Sequence, residues 1–199
     1  MKTPTKKPSS KVRIIGGFWR SRLIQVADQP GLRPTTDRVR ETLFNWLGQN
    51  LEGLNCLDMF AGTGALGFEA ASRGAKQVVL IESSSVAHQM LVNNFKSLLP
   101  APEGVAVEII RSQALTWLKN NSAHQFDVVF VDPPFADEKL LQDALLEANE
   151  AVISAKTAVI YVECASELSN DVLLGHLPGW QINRQMVAGA AKATLLKRD

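Results

Sequence analysis

The sequence predicts an α/β protein: a Rossmann-like, mostly parallel seven-stranded sheet ending in an antiparallel hairpin, with a small N-terminal β-hairpin extension. Three observations predict it. After Gly53, apolar runs of strand length alternate with stretches of helical periodicity, and such runs form parallel sheets covered on both faces. A glycine-rich turn, Gly62, Gly64 and Gly67 in G-x-G-x-x-G spacing, follows the first run. The last two apolar segments flank Ala188-Gly189 instead of a helix, as the strands of a hairpin do.

Taken in order, "KVRIIGGFWRSRLIQV" reads as two short strands about a Gly16-Gly17 turn. Residues 27–36, with Pro30, Gly31 and Pro34, read as a loop. A helix is predicted from Asp37 as N-cap, with Val39, Leu43, Trp46 and Leu47 on one face. "NCLDMF" is the first sheet strand, and a helix follows from about Ala65. "QVVLIE" is the second, after which Ser83 opens a helix bearing Val86, Met90, Leu91, Asn94 and Leu98. "VAVEII" is the third, followed by a short helix through Trp117. "FDVVFVD" is the fourth, followed by a helix with Leu140, Leu141, Ala144, Leu145 and Ala148 on one face. "TAVIYVE" is the fifth, and "GWQINRQMV" with "AKATLLKR" closes the sheet. The expected division is a tail over residues 1–10, a basic arm and loop over 11–36, and the sheet domain over 37–199.

Composition narrows the classes. With 199 residues, 46% of them hydrophobic and 21% charged, the chain is long enough to bury a core. No apolar run approaches the ~20 residues of a bilayer span, and the Lys-, Pro- and Ser-rich start is no secretory signal. A cytoplasmic protein without membrane attachment is expected. Cys56 and Cys164 lie far apart inside apolar runs and read as buried thiols. His88, His124 and His176 are scattered, so no metal is expected. The net charge of +1 hides an asymmetry: residues 1–40 carry ten Lys/Arg against two acids. Lys11, Arg13, Arg20, Arg22, Arg33, Arg38 and Arg40 are therefore the candidate nucleic-acid contacts.

Ligands of such sheets bind beyond the carboxyl ends of the strands, and unusual residues stand there. The glycines of "LDMFAGTGALG" suit any nucleotide, and Glu82 is placed for ribose hydroxyls. Asp58, ahead of the glycines, would repel a pyrophosphate but would favour the ammonium of S-adenosyl-L-methionine; the alternative is a helix-capping acid. Phe60, Thr63, Ser83 and Ala114 flank these positions and join the cofactor candidates. Gln113 offers a carbonyl acceptor to an adenine amino group, or simply opens a helix. Then "FVDPPF" ends the fourth strand with Asp132, Pro133, Pro134 and Phe135. An exocyclic amine on a base is a poor nucleophile because its lone pair is delocalised into the ring. Two acceptors, the Asp132 carboxylate and the Pro133 carbonyl, would bias it toward a pyramidal nitrogen, and the prolines would hold that geometry. Phe135 offers a stacking face. The alternative is a strand-terminating turn with a buried ring.

"FAGTGALGFEA" followed by "FVDPPF" resembles the class I S-adenosylmethionine-dependent amino-methyltransferases. "RIIGGFWR", "LRPTTDRVRETLFNWL" and "IYVE" resemble the RsmD family, bacterial 16S rRNA guanine-N2 methyltransferases, over about residues 11–197. The resemblance implies that Asp58 and Gly62 to Gly64 border the methionine part of the cofactor. It places Glu82 at the ribose and Asp132 to Phe135 at the target guanine. It implies 16S rRNA as partner, within a small ribosomal subunit or its assembly intermediate; a monomer is expected. Competing readings are a DNA or other RNA amino-methyltransferase, an NAD-dependent oxidoreductase, and a non-catalytic RNA-binding module. The oxidoreductase leaves Asp58 and "DPPF" without purpose, and the intact glycines and acids weigh against a module that has lost its chemistry.

Overall fold

The computed structural model describes residues 11–27, 35–134, 137–151 and 157–198. Two short strands, β1 (Lys11–Arg13) and β2 (Leu23–Gln25), precede α1 (Asp37–Trp46). The sheet domain runs β3 (Asn55–Asp58), α2 (Ala65–Ser72), β4 (Gln77–Glu82), α3 (Ser85–Leu98), β5 (Ala106–Arg111), α4 (Ala114–Asn120) and β6 (Val128–Val131). It continues with α5 (Glu138–Ala151), β7 (Val159–Ala165), α6 (Asn170–Gly175), β8 (Trp180–Ala188) and β9 (Ala191–Arg198). The strand order is β5-β4-β3-β6-β7-β9-β8. β3 to β7 pair in parallel, and β9 is inserted antiparallel between β7 and β8. The order reverses between β3 and β6, where such sheets open a crevice.

Pleating divides the core into two layers. On one face Cys56, Val78, Phe130 and Tyr161 pack with Val39, Leu43 and Phe44 of α1, Phe68 of α2 and Leu91 of α3. On the other, Leu57, Val79, Val129 and Ile160 pack with Trp117 of α4 and with Leu141 and Leu145 of α5. Both cysteines are buried free thiols. Among the described residues no helix is long and apolar enough to cross a membrane.

The N-terminal strands depart from the sequence reading in one respect. Lys11 pairs with Gln25 and Arg13 with Leu23, so residues 14–22 form a broad connection, not a tight turn at Gly16-Gly17. Those glycines serve a close approach to α2. Gly17 has φ +72°, and a Cβ there would lie 1.8 Å from the Ser72 carbonyl oxygen. Trp19 is fully buried and donates its indole N–H to the Pro100 carbonyl at 3.1 Å. Val12, Ile14, Trp19 and Ile24 belong to the same apolar cluster as α1, α2 and α3.

One side chain anchors this arm. Glu69 of α2 is fully buried and accepts the backbone N–H of Ile15 and of Gly16, each at 2.7 Å. Its Oε1 also accepts Arg73 Nε at 2.9 Å, and Arg40 Nη1 lies 3.7 Å from its Oε2. Arg40 in turn donates to the Arg13 carbonyl and to Asp37, at 2.8 and 2.7 Å. The helix N-cap is Thr36, one residue before the predicted Asp37; its hydroxyl accepts Val39 N–H.

Glu69→Ala should remove about 3–5 kcal/mol in denaturant unfolding, because it strands buried guanidinium groups and two amides. Limited proteolysis should then cut within residues 11–27 under native conditions. A loss below about 1 kcal/mol, the range of exposed pairs, with no new cleavage would show that the arm docks by its apolar side chains alone.

Candidate active site

The pleat that sorts the core also sorts the acids. Cys56, Val78, Phe130 and Tyr161 face the α1 layer, and side chains alternate along a strand. Asp58, Glu82, Asp132 and Glu163 each sit an even number of residues further on, so all four point to that layer. The register supports this, with Asp58 paired to Leu80 and Phe130, and Val131 to Val162. Asp132 follows directly at the end of β6, and Glu163 lies within β7, next after the last residue of β7 that pairs with β6. Four carboxylates thus line one rim of the crevice.

The glycine-rich loop connects this rim to α2. Gly64 adopts φ +84°, and a Cβ on it would meet Phe68 at 2.3 Å and Leu91 at 2.6 Å; only glycine allows the loop to pass. Gly62 N–H donates to Glu82 Oε2 at 2.9 Å, and Ser84 N–H donates to Oε1 at 2.7 Å. Asp58 is buried and accepts Gly67 N–H at 3.0 Å. Asp58 therefore acts as a helix-capping acid and at the same time stands at the loop's base. Burial pushes its carboxyl up to about 7, against the lowering effect of hydrogen bonds from the Gly67 and Phe60 backbone. Among the described residues no ion pair reaches Asp58, Glu82 or Asp132, and no cluster of His, Cys, Asp and Glu is built to hold a metal ion.

Asp132 accepts the Thr35 hydroxyl at 3.2 Å. Desolvation raises its pKa well above the usual carboxylate range, reinforced by the charges of Glu163 and Asp58. Pro133 is buried and Pro134 exposed. Phe135 lies outside the described residues. Of the remaining cofactor candidates, Phe60 is half-buried, Thr63 and Ala114 are buried, and Ser83 is exposed. The Thr63 carbonyl accepts Asn94 Nδ2 at 3.2 Å. Gln113 is the exposed N-cap of α4, and its side chain makes no capping bond.

The family described as "Conserved hypothetical protein 95" matches residues 12–197. Ribosomal RNA small subunit methyltransferase D of Escherichia coli K12 is 44% identical over 202 residues, covering 100% of this chain and 96% of the relative. The chain belongs to the ribosomal RNA small subunit methyltransferase D family. The Haemophilus influenzae family member is also 44% identical, over 81% of this chain and 83% of its own. The solved structure of yhhF from Escherichia coli superposes with a TM-score of 0.77 at 40% identity, covering 96% of this chain and 99% of that one.

In this methyltransferase D family member the basic candidates among the described residues divide into three groups. Lys11, Arg13, Arg20 and Arg38 are exposed. Arg22 is exposed but turns its guanidinium to the carbonyls of Ser97 and Leu98 at the end of α3, so its charge serves the arm's docking. Arg40 is corrected: it is fully buried and bound to Asp37, Glu69 and the Arg13 carbonyl, which removes it from any nucleic-acid surface. Arg33 lies outside the described residues. Sequence reading missed Glu69, Thr35, Tyr161 and Glu163. Glu163 alone carried a readable signal, an acid within an otherwise apolar strand.

The raised Asp58 carboxyl has a sign. Between its ordinary 3.8 and about 7 the unfolded chain ionises while the folded one keeps its proton. Its contribution to stability therefore falls as pH rises through that window, by up to about 1.4 kcal/mol per pH unit. Subtracting the Asp58→Asn unfolding profile from the wild-type profile should isolate this slope. Parallel profiles between pH 4 and 7 would mean that Asp58 is ionised throughout in the folded protein.

Proposed function

We propose that the protein transfers a methyl group from S-adenosylmethionine to the exocyclic N2 amine of one guanosine in 16S rRNA. We propose further that it acts as a monomer on the small ribosomal subunit or an assembly intermediate. The observation that carries this reading is Asp132, set beside the Pro133 carbonyl at the end of β6, on the same rim as Asp58 and Glu82. The relatives are named for ribosomal RNA of the small subunit, which supports the substrate class.

The residues present fit the cofactor by the chemistry of their donor set. A rim of carboxylates without a described ion pair to Asp58 or Glu82 attracts an ammonium group and accepts from hydroxyls, whereas it would repel a pyrophosphate. Asp58 and the loop from Gly62 to Gly64 would hold the methionine part and Glu82 the ribose. Bound there, S-adenosylmethionine supplies a methyl group carried on a positively charged sulfur. Asp132 and the Pro133 carbonyl accept the two hydrogens of the guanine amine and hold its lone pair out of the ring plane. Asp132, whose carboxyl is raised, then takes the proton the amine gives up. Lys11, Arg13, Arg20 and Arg38 hold RNA by its phosphates, since phosphate contacts supply most of the affinity for nucleic acid.

Nucleoside mass spectrometry of small-subunit rRNA from cells lacking the protein should show loss of an N2-methylguanosine, restored by wild type but not by Asp132→Ala. In vitro, Asp132→Ala should lower turnover by roughly 10²–10³ while still binding S-adenosylmethionine in calorimetry. Wild-type activity in that variant would remove Asp132 from the chemistry.

Replacing Lys11, Arg13, Arg20 and Arg38 with Gln should weaken RNA binding at moderate salt. Each lost phosphate contact should flatten the log K against log salt slope by ~0.9 or less. An unchanged slope would place RNA recognition elsewhere on the molecule.

A further inference from the structure

Thr35 takes no part in the chemistry above, yet its hydroxyl reaches the acid that does. It stands 97 residues from Asp132 in sequence and donates to Asp132 Oδ2 at 3.2 Å. Its own place is fixed from the α1 side. Thr35 is 7% exposed and directly precedes Thr36, the N-cap whose hydroxyl accepts Val39 N–H. Val39, Leu43 and Phe44 seat α1 in the core, and Arg40 ties the same helix to Glu69. A side chain one residue ahead of so firmly held a helix has little freedom to swing away. Asp132 meets it from the end of β6 and is only half-buried, so the acid keeps access to the crevice. Among the described residues Thr35 is the one hydrogen-bond donor to the Asp132 carboxylate.

We propose that Thr35 is a positioning residue for methyl transfer: its hydroxyl holds Asp132 Oδ2, so that Oδ1 faces the target amine and receives its proton. This rests on the proposed function and deepens it. The terminal torsion of an aspartate is broad, so a carboxylate at a strand end needs a partner to fix which oxygen faces the substrate. Fixing it beforehand is the preorganisation that positioned groups supply. In the step itself the nitrogen lone pair forms the bond to the methyl carbon. The bond to sulfur breaks with its electron pair left on sulfur, and the proton lost from nitrogen goes to Oδ1. Only an ionised Asp132 can accept that proton. Asp58 of β3 and Glu163, Tyr161 and Cys164 of β7 face the same carboxylate. Desolvation and the two acids raise its pKa, and the Thr35 hydroxyl is the contact that lowers it, since a donor favours the charged form.

The test uses small-subunit particles from cells lacking the protein, with wild type, Thr35→Val and Thr35→Ser. At neutral pH and saturating S-adenosylmethionine, Thr35→Val should lower the single-turnover rate by about 10- to 100-fold, the worth of one hydrogen bond to a charged group. Cofactor affinity, which also reports folding, should stay unchanged. The acidic limb of the pH–rate profile should move to higher pH, because the acid that must be ionised has lost its donor. Thr35→Ser, which keeps the hydroxyl, should restore most of the rate and return the limb toward its wild-type position. Should the Val variant not fold, Thr35→Ala read in the same way replaces it. Carboxyl ¹³C NMR titration of the free protein, with Asp132→Asn identifying the resonance, should show the same upward move in the variant lacking the hydroxyl. A folded variant without the hydroxyl that keeps the wild-type rate and titration overturns the proposal. So does one whose loss lies in cofactor affinity while the rate at saturation is kept. Wild type that binds cofactor but methylates no particle overturns the functional reading and the catalytic role inferred from it. The carboxyl titration needs no turnover and answers for Thr35 alone.

Discussion

A buried carboxylate needs partners, and the molecule is organised around satisfying one. Glu69 draws the backbone of the N-terminal arm, the guanidinium of Arg40 from α1 and that of Arg73 from its own helix to a single point. Removing a charge from water is expensive unless such contacts replace it. The helix that carries Glu69 is also the helix whose first turn Asp58 caps through Gly67. Arm, glycine-rich loop and central strand are thereby referred to the same eight-residue helix. A basic surface set on the arm keeps a fixed position relative to the rim of the crevice, without relying on a flexible linker.

The rim itself is an electrostatic load that the free protein carries. Asp58 and Asp132 are both raised chiefly by desolvation, and each also feels another acid of the rim. Fixed strand geometry allows no escape, because the pleat aims all of them to one side. A bound cation relieves this, and so does a base amine that donates to the rim. The same arrangement that destabilises the free site thus favours the ligands proposed for it, which is how preorganised polar sites commonly work.

The parallel core was legible because strands buried on both faces must be apolar throughout, so an acid at the end of one stands out. Asp58, Glu82 and Asp132 were found that way; Glu163, an acid inside the apolar run "VIYVECA", stood out equally and could have been. Arg40 was harder. The face of α1 that is buried contains Val39, Arg40, Leu43 and Phe44, and an arginine there reads as surface until its partner is known. That partner, Glu69, sits in a helix buried at every position, which has no polar face to mark, and its arm contacts are 53 and 54 residues away in sequence. Gly16-Gly17 resembled a hairpin turn because local patterns cannot distinguish a turn from a glycine needed for close backbone approach. The short helix α6 (Asn170–Gly175) was missed for lack of length.

The docking of Trp19 against Pro100 has a consequence for how the chain is made. The arm is synthesised first, but the carbonyl that receives its indole lies 81 residues later. At about 5–20 residues per second of translation, the arm waits roughly 4–16 s for that partner. Throughout that interval Ile14, Trp19 and Ile24, all buried in the finished molecule, have no completed core to enter. The flanking Lys11, Arg13, Arg20 and Arg22 then act as solubilising charges on an unfinished nascent chain, before any of them meets a nucleic acid.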